Sequence, residues 1–86
     1  MPDLYTLNAV WRKSNGERPI STSTRTLEEF VVPFVNMAKG WNLQRVSAPS
    51  PVTRESVEEY ARYVHSHLAP EFDCTLESLT LEPAGE

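Results

Sequence analysis

Eighty-six residues, 40% hydrophobic and 23% charged, define one folding unit of ordinary globular composition and exclude both a second core and a disordered chain. Twelve acidic against eight basic residues leave a net charge of −4, whose field repels phosphate backbones and argues against nucleic acid as a partner. A single cysteine, Cys74, excludes a disulfide framework and a multi-cysteine zinc cage and points to a reducing compartment, the cytoplasm.

Leu4 to Arg12 alternates, with Tyr5, Leu7, Ala9 and Trp11 on one side and Thr6, Asn8 and Arg12 on the other, which predicts a half-buried first strand. Lys13 to Pro19 reads as a hairpin loop, because Asn15-Gly16 tolerates positive φ and Pro19 fixes the exit. Ile20 to Arg25, polar and β-branched at Ile20, Thr22 and Thr24, predicts an exposed edge strand. Thr26-Leu27-Glu28-Glu29 fits a capping box, and Leu27, Phe30, Val31, Phe34, Met37 and Ala38 form the apolar stripe of a helix stopped by Gly40. Pro33 inside that helix predicts a kink or a division into two segments, at a cost of about 3 kcal/mol in a regular helix. Val32 and Val35 fall outside the stripe and are placed at the surface.

Trp41 to Val46 alternates weakly and is assigned to a third strand, followed by the proline-rich connector Ser47 to Pro51. Thr53 caps a second helix with Val57, Tyr60, Ala61, Val64 and Leu68 on its buried face. Arg54, Glu55, Glu58, Glu59 and Arg62 occupy the opposite side, with Glu58 and Arg62 at the spacing of an i,i+4 ion pair. Thr75 to Glu82 completes the strands with Leu79 and Leu81 inward, and residues 83–86 form a frayed tail. The order β-β-α-β-α-β predicts an α+β two-layer sandwich in a single domain, residues 1–86, with a four-stranded sheet and two helices on one face. Leu4, Val10 and Leu76 point to the open face, an apolar surface in need of a cover. A chain this short buries a modest share of its surface, so a second copy or a partner adds to its stability.

No catalytic constellation emerges. His65 and His67 are about 200° apart on a helix, so they cannot grip one ion unaided and are assigned to the borders of the apolar stripe. Asp73, Glu71 and Glu77 near Cys74 oppose a thiolate, which makes the cysteine structural. The adjacent pairs Glu28/Glu29 and Glu58/Glu59 read as caps and solvated charges. Three glycines with no phosphate-loop spacing argue against nucleotide cofactors. Trp11, Arg12, Lys13 and Arg18 make a small basic and aromatic patch at the hairpin. The start of the chain has neither a basic n-region nor an apolar run, and no stretch of 18 apolar residues occurs, so neither export nor membrane insertion is expected.

Met1-Pro2-x-x-Tyr5, running into a strand, resembles the start of the tautomerase superfamily; the likeness implies Pro2 as an N-terminal general base if Met1 is removed. Here a hairpin and second strand precede the first helix, and no arginine maps to that family's substrate-polarising position. The capped helix carrying Ala61-Arg62-Tyr63, followed by a strand ending Glu82-Pro83, is similar to the C-terminal half of the T-fold pterin synthases, which implies Glu82 as the residue holding a pterin-like ring. The three metal-binding histidines of that family have no counterpart here, since both histidines lie on the second helix.

The expectation drawn from all this is a small acidic cytoplasmic protein that acts by binding another protein or itself: a regulator, inhibitor or adaptor with no metal, cofactor, membrane or nucleic acid. Its partner-binding residues are Ile20, Thr22 and Thr24 on the edge strand and Val32 and Val35 on the first helix, by strand addition or a helix-side patch. Homodimerisation would cover the open sheet face. Six arginines against two lysines suit a GC-rich bacterial or phage genome.

Overall fold

Alternation along the first strand positions the whole molecule. In the computed structural model, which describes residues 3–84, β1 (Tyr5–Lys13) buries Leu7 and Ala9 and turns Thr6, Asn8 and Val10 to the opposite face. It is the central strand of a three-stranded antiparallel sheet of order β2-β1-β3, flanked by β2 (Ile20–Arg25) and β3 (Cys74–Pro83). Helices α1 (Leu27–Gly40) and α2 (Arg54–Leu68) lie between β2 and β3 in the chain, and a 3-10 turn (Ala69–Phe72) leads from α2 into β3. Phe30, Val31, Phe34 and Ala38 of α1 and Val57, Tyr60, Ala61, Val64 and Leu68 of α2 share one core with Leu7, Ala9, Leu79 and Leu81. Both helices therefore cover the same face, and the class is α+β, as the pattern predicts.

The sheet has three strands where the sequence predicts four. Residues Trp41 to Val46 form no strand, because the chain leaves α1 at Gly40 through a tight reversal and not along an extended path. Asn42 adopts the left-handed conformation at φ 59°, its N–H donates to the Lys39 carbonyl at 3.2 Å, and the Leu43 N–H donates to the Ala38 carbonyl at 2.9 Å. These are the two bonds of a Schellman stop with asparagine in the place usually taken by glycine. The segment beyond finds its partners in side chains: Tyr63 Oη accepts from the Arg45 N–H at 3.0 Å, and Tyr60 Oη donates to the Arg45 carbonyl at 2.8 Å. A backbone whose polar groups are met in this way has no need of a ladder. With that strand goes the expected pair of parallel crossovers.

Pro33 does not divide α1, which runs unbroken from Leu27 to Gly40. Leu76 faces the core and not the open side. Its parity with Leu79 and Leu81 is reversed by a bulge: Val10 pairs with Ser78 but Trp11 pairs with Leu76, so Glu77 is the extra residue. The open face is consequently more polar than expected. Thr6, Asn8 and Val10 stand opposite Thr24, Thr22 and Ile20 on one side and Glu82, Thr80 and Ser78 on the other. Among the described residues no helix is long and apolar enough to cross a membrane.

Candidate functional site

The two edges of the sheet differ. Trp11 N–H donates to the Pro19 carbonyl at 2.9 Å and Lys13 N–H to the Glu17 carbonyl at 2.8 Å, so the odd-numbered residues of β1 direct their backbone groups toward β2. The register pairs Leu7 with Ser23 and Ala9 with Ser21, and the same parity turns the N–H and C=O groups of Ile20, Thr22 and Thr24 outward. On the far side, Leu79 and Leu81 of β3 likewise point their backbone groups away from β1, but α2 meets them. Arg62 donates to the Leu79 carbonyl at 2.8 Å, Arg54 donates to the Leu81 carbonyl at 2.8 Å, and the Glu58 carboxylate accepts from the Leu81 N–H at 3.0 Å. Arg54, Glu58 and Arg62 recur every four residues, so one row of helix side chains runs along β3 and covers its edge at Leu79 and Leu81. The expected Glu58–Arg62 ion pair is replaced by this arrangement, in which Glu58 pairs with Arg54 at 3.5 Å.

Beside the open β2 edge runs a groove of about 520 Å³ walled by Thr24 and Arg25 of the strand and by Glu29, Val32, Pro33 and Asn36 of α1. Val32 is 61% exposed. Proline supplies no N–H to the carbonyl four residues back, which leaves the Glu29 carbonyl without its helical donor at the wall of this groove. The Glu29 carboxylate is occupied elsewhere: its Oε1 accepts from the Thr26 N–H at 3.0 Å and from the Thr26 hydroxyl at 3.2 Å. Those bonds hold its pKa below the usual carboxylate value.

Of the five residues expected to bind a partner, the structure gathers four around this edge. Ile20, Thr22 and Thr24 supply the outward backbone, and Val32 stands on the helix across the groove. Val35 is not among them, for it is half-buried and packs against the core. On the open face the Thr22 hydroxyl donates to Asn8 Oδ1 at 3.0 Å and the Thr6 and Thr24 hydroxyls lie 3.1 Å apart, which fixes the side chains while leaving the edge backbone outward.

The remaining candidates disperse. Arg12 and Arg18 both reach the carboxylate of Glu77, at 2.6 Å each, and Lys13 reaches Glu17 at 3.6 Å, so two carboxylates offset all but one charge of the basic patch at the hairpin. Bonds from Arg18, with the nearby Arg12 charge, lower the Glu77 pKa. His65 Nδ1 lies 2.7 Å from the Ala61 carbonyl and His67 Nδ1 lies 2.8 Å from the Tyr63 carbonyl, which anchors the two rings separately. Cys74 donates its thiol hydrogen to the Phe72 carbonyl at 3.2 Å. Glu82 is exposed on the open face opposite Thr6, and Pro2 lies outside the described residues. No group of three or more His, Cys, Asp and Glu converges among the described residues.

Sequence reasoning missed the closure of β3 by α2. Its signal was the Arg54-Glu58-Arg62 spacing, which a solvated helix face also displays. Comparison with known protein families, curated proteins and solved structures finds no match to this chain.

Proposed function

We propose that this protein is a non-catalytic interaction module of the cytoplasm, a regulator, inhibitor or adaptor, that takes an extended segment of a partner protein as a fourth strand on β2. The observation that carries this reading is the asymmetry of the sheet: side chains of α2 occupy the backbone groups of one edge, and those of Ile20, Thr22 and Thr24 on the other are turned outward. Strand addition gives affinity through main-chain bonds and specificity through alternate side chains. Alternate residues of the added strand would enter the groove against Val32 and Pro33, and the others would lie beside Ile20 and Thr22 on the open face. An apolar residue facing Val32 suits the groove.

Phage-displayed peptides of about eight residues selected on the folded protein test this reading, that length matching a strand. Binders are expected to shift the amide resonances of Thr22, Thr24 and Val32 and to lose affinity for the Thr22→Pro and Val32→Asp variants. Peptides that bind Thr22→Pro as well as the parent would overturn it. Light scattering over a concentration series identifies the case in which the added strand comes from a second copy, since the same substitution then abolishes the dimer.

A further inference from the structure

A second concavity lies between the hairpin, both helices and the 3-10 turn, and it shares no lining residue with the β2 groove. It encloses about 350 Å³ and is walled by Trp11, Met37, His65, Leu68, Phe72 and Cys74 among others. That volume is in the range of small-molecule sites, which are mostly apolar with a few placed polar groups. No lining residue carries a carboxylate, ammonium or guanidinium.

His65 supplies the placed polar group. Its ring is held between Trp11, with centroids 5.4 Å apart, and Phe34, at 5.3 Å and nearly perpendicular. The Ala61 carbonyl can only accept, so the 2.7 Å contact assigns the proton to Nδ1 and leaves Nε2 of the neutral ring as an acceptor. Nε2 has no protein partner among the described residues, and it is not sealed from solvent. It is the one strong acceptor that the lining side chains provide, since the Cys74 thiol is directed to the Phe72 carbonyl. At the rim Phe72 is 60% exposed and packs edge-on against Trp41, with ring centroids 5.8 Å apart. An aromatic pair of this size left in water is a surface that gains from being covered.

We propose that this hollow binds a small, neutral, planar aromatic molecule bearing one hydroxyl or N–H donor, its ring against Trp11 and Phe72 and its donor on His65 Nε2. The absence of charge from the lining selects against ionic ligands, because a buried ion without a partner is costly. The single acceptor selects for a donor over an ether or a bare hydrocarbon. Burial of His65 also lowers its pKa and keeps the ring in the accepting form at neutral pH.

Three matched probes test the proposal on the whole protein: 2-naphthol, 2-methoxynaphthalene and 2-naphthoate, titrated by calorimetry and by amide resonance shifts. Naphthol is expected to bind with shifts at His65, Trp11 and Phe72. The methoxy compound should bind about tenfold more weakly, the loss of roughly one hydrogen bond, and the carboxylate more weakly still. His65→Phe, which retains an aromatic ring between Trp11 and Phe34, should reduce the naphthol preference to within about twofold. The ¹⁵N resonance of Nε2 in the parent provides a readout that needs no variant, and it should move on adding naphthol and stay in place on adding methoxynaphthalene. Equal affinity for naphthol and its methyl ether, shifts confined to other faces, or no binding at millimolar probe would each overturn the proposal.

Discussion

The hydroxyl of Tyr60, a residue with no exposed surface, donates a 2.8 Å hydrogen bond to the carbonyl of Arg45, a residue on an irregular and largely exposed segment. The Arg45 guanidinium lies over the rings of Tyr60 and Tyr63 at 5.4 and 4.9 Å and pairs with Glu59 at 2.8 Å. Arg45 thus ties the stretch between the helices to α2. Tyr60→Phe should keep the buried ring and leave the carbonyl unmet, at a cost of about 1–2 kcal/mol in urea denaturation. Tyr63→Phe removes the acceptor of the Arg45 N–H, so hydrogen exchange at that amide should accelerate with a smaller loss of global stability.

Both aromatic residues stand where the 3.6-residue period places them, but their hydroxyls decide the fate of a distant segment, which no local pattern reports. This is why Trp41 to Val46 reads as a strand and is not one. Weak alternation and β-compatible residues satisfy the strand criteria, whereas the left-handed Asn42 and two tyrosine hydroxyls settle the conformation. Elements whose burial pattern is local were legible: β1, the edge character of β2, and both capped helices. The face of Leu76 was not, since a one-residue bulge inverts parity at Glu77, whose carboxylate meets Arg12 of β1 and Arg18 of the hairpin loop, partners distant in sequence. The site was half legible for the same reason. The openness of an edge strand follows from its composition, but that it is the one edge left open follows from what α2 does to β3.

Closure of β3 is testable by removing it. Glu58→Ala leaves the Leu81 N–H without its acceptor, and Arg62→Ala leaves the Leu79 carbonyl without its donor; each should destabilise by about 1–2 kcal/mol. The double variant uncovers the Leu79 carbonyl and the Leu81 N–H and leaves only the Arg54 bond to the Leu81 carbonyl, so concentration-dependent association should rise above that of the parent in light scattering. A double variant as monodisperse as the parent would mean that these side chains do not guard the edge.

Parity along β2 yields opposite outcomes for neighbouring prolines. The Thr22 N–H points away from the sheet, so Thr22→Pro removes no ladder bond and the protein should stay folded, losing about 1 kcal/mol or less. The Ser23 N–H points to Leu7, so Ser23→Pro removes a ladder bond from the β1–β2 pairing, the only one β2 makes among the described residues, and should cost about 3 kcal/mol or more. Thermal unfolding followed by circular dichroism separates the two. Similar losses at both positions would place the outward backbone groups elsewhere than on Thr22.

Stability should fall in two steps as the solution is acidified. Burial, opposed in part by the bond to Ala61, lowers the His65 pKa in the folded protein, while the unfolded chain titrates near the ordinary value of about 6.5. Below that pH the unfolded state takes up a proton that the folded state refuses, so stability present above about pH 6.5 is lost progressively as the pH drops toward the folded value. Glu29, Glu59 and Glu77 also have lowered values, from the Thr26 bonds, the Arg45 bond and the Arg18 bonds respectively. Their contribution is complete above the ordinary carboxylate range near 4.5 and fades below it, giving a separate, more acidic step. His65→Phe removes the upper step and leaves the lower, so its urea midpoint should be flat between about pH 7.5 and 5.5 while that of the parent declines. A variant that declines in parallel with the parent over that interval would show that the proton goes to some group other than His65.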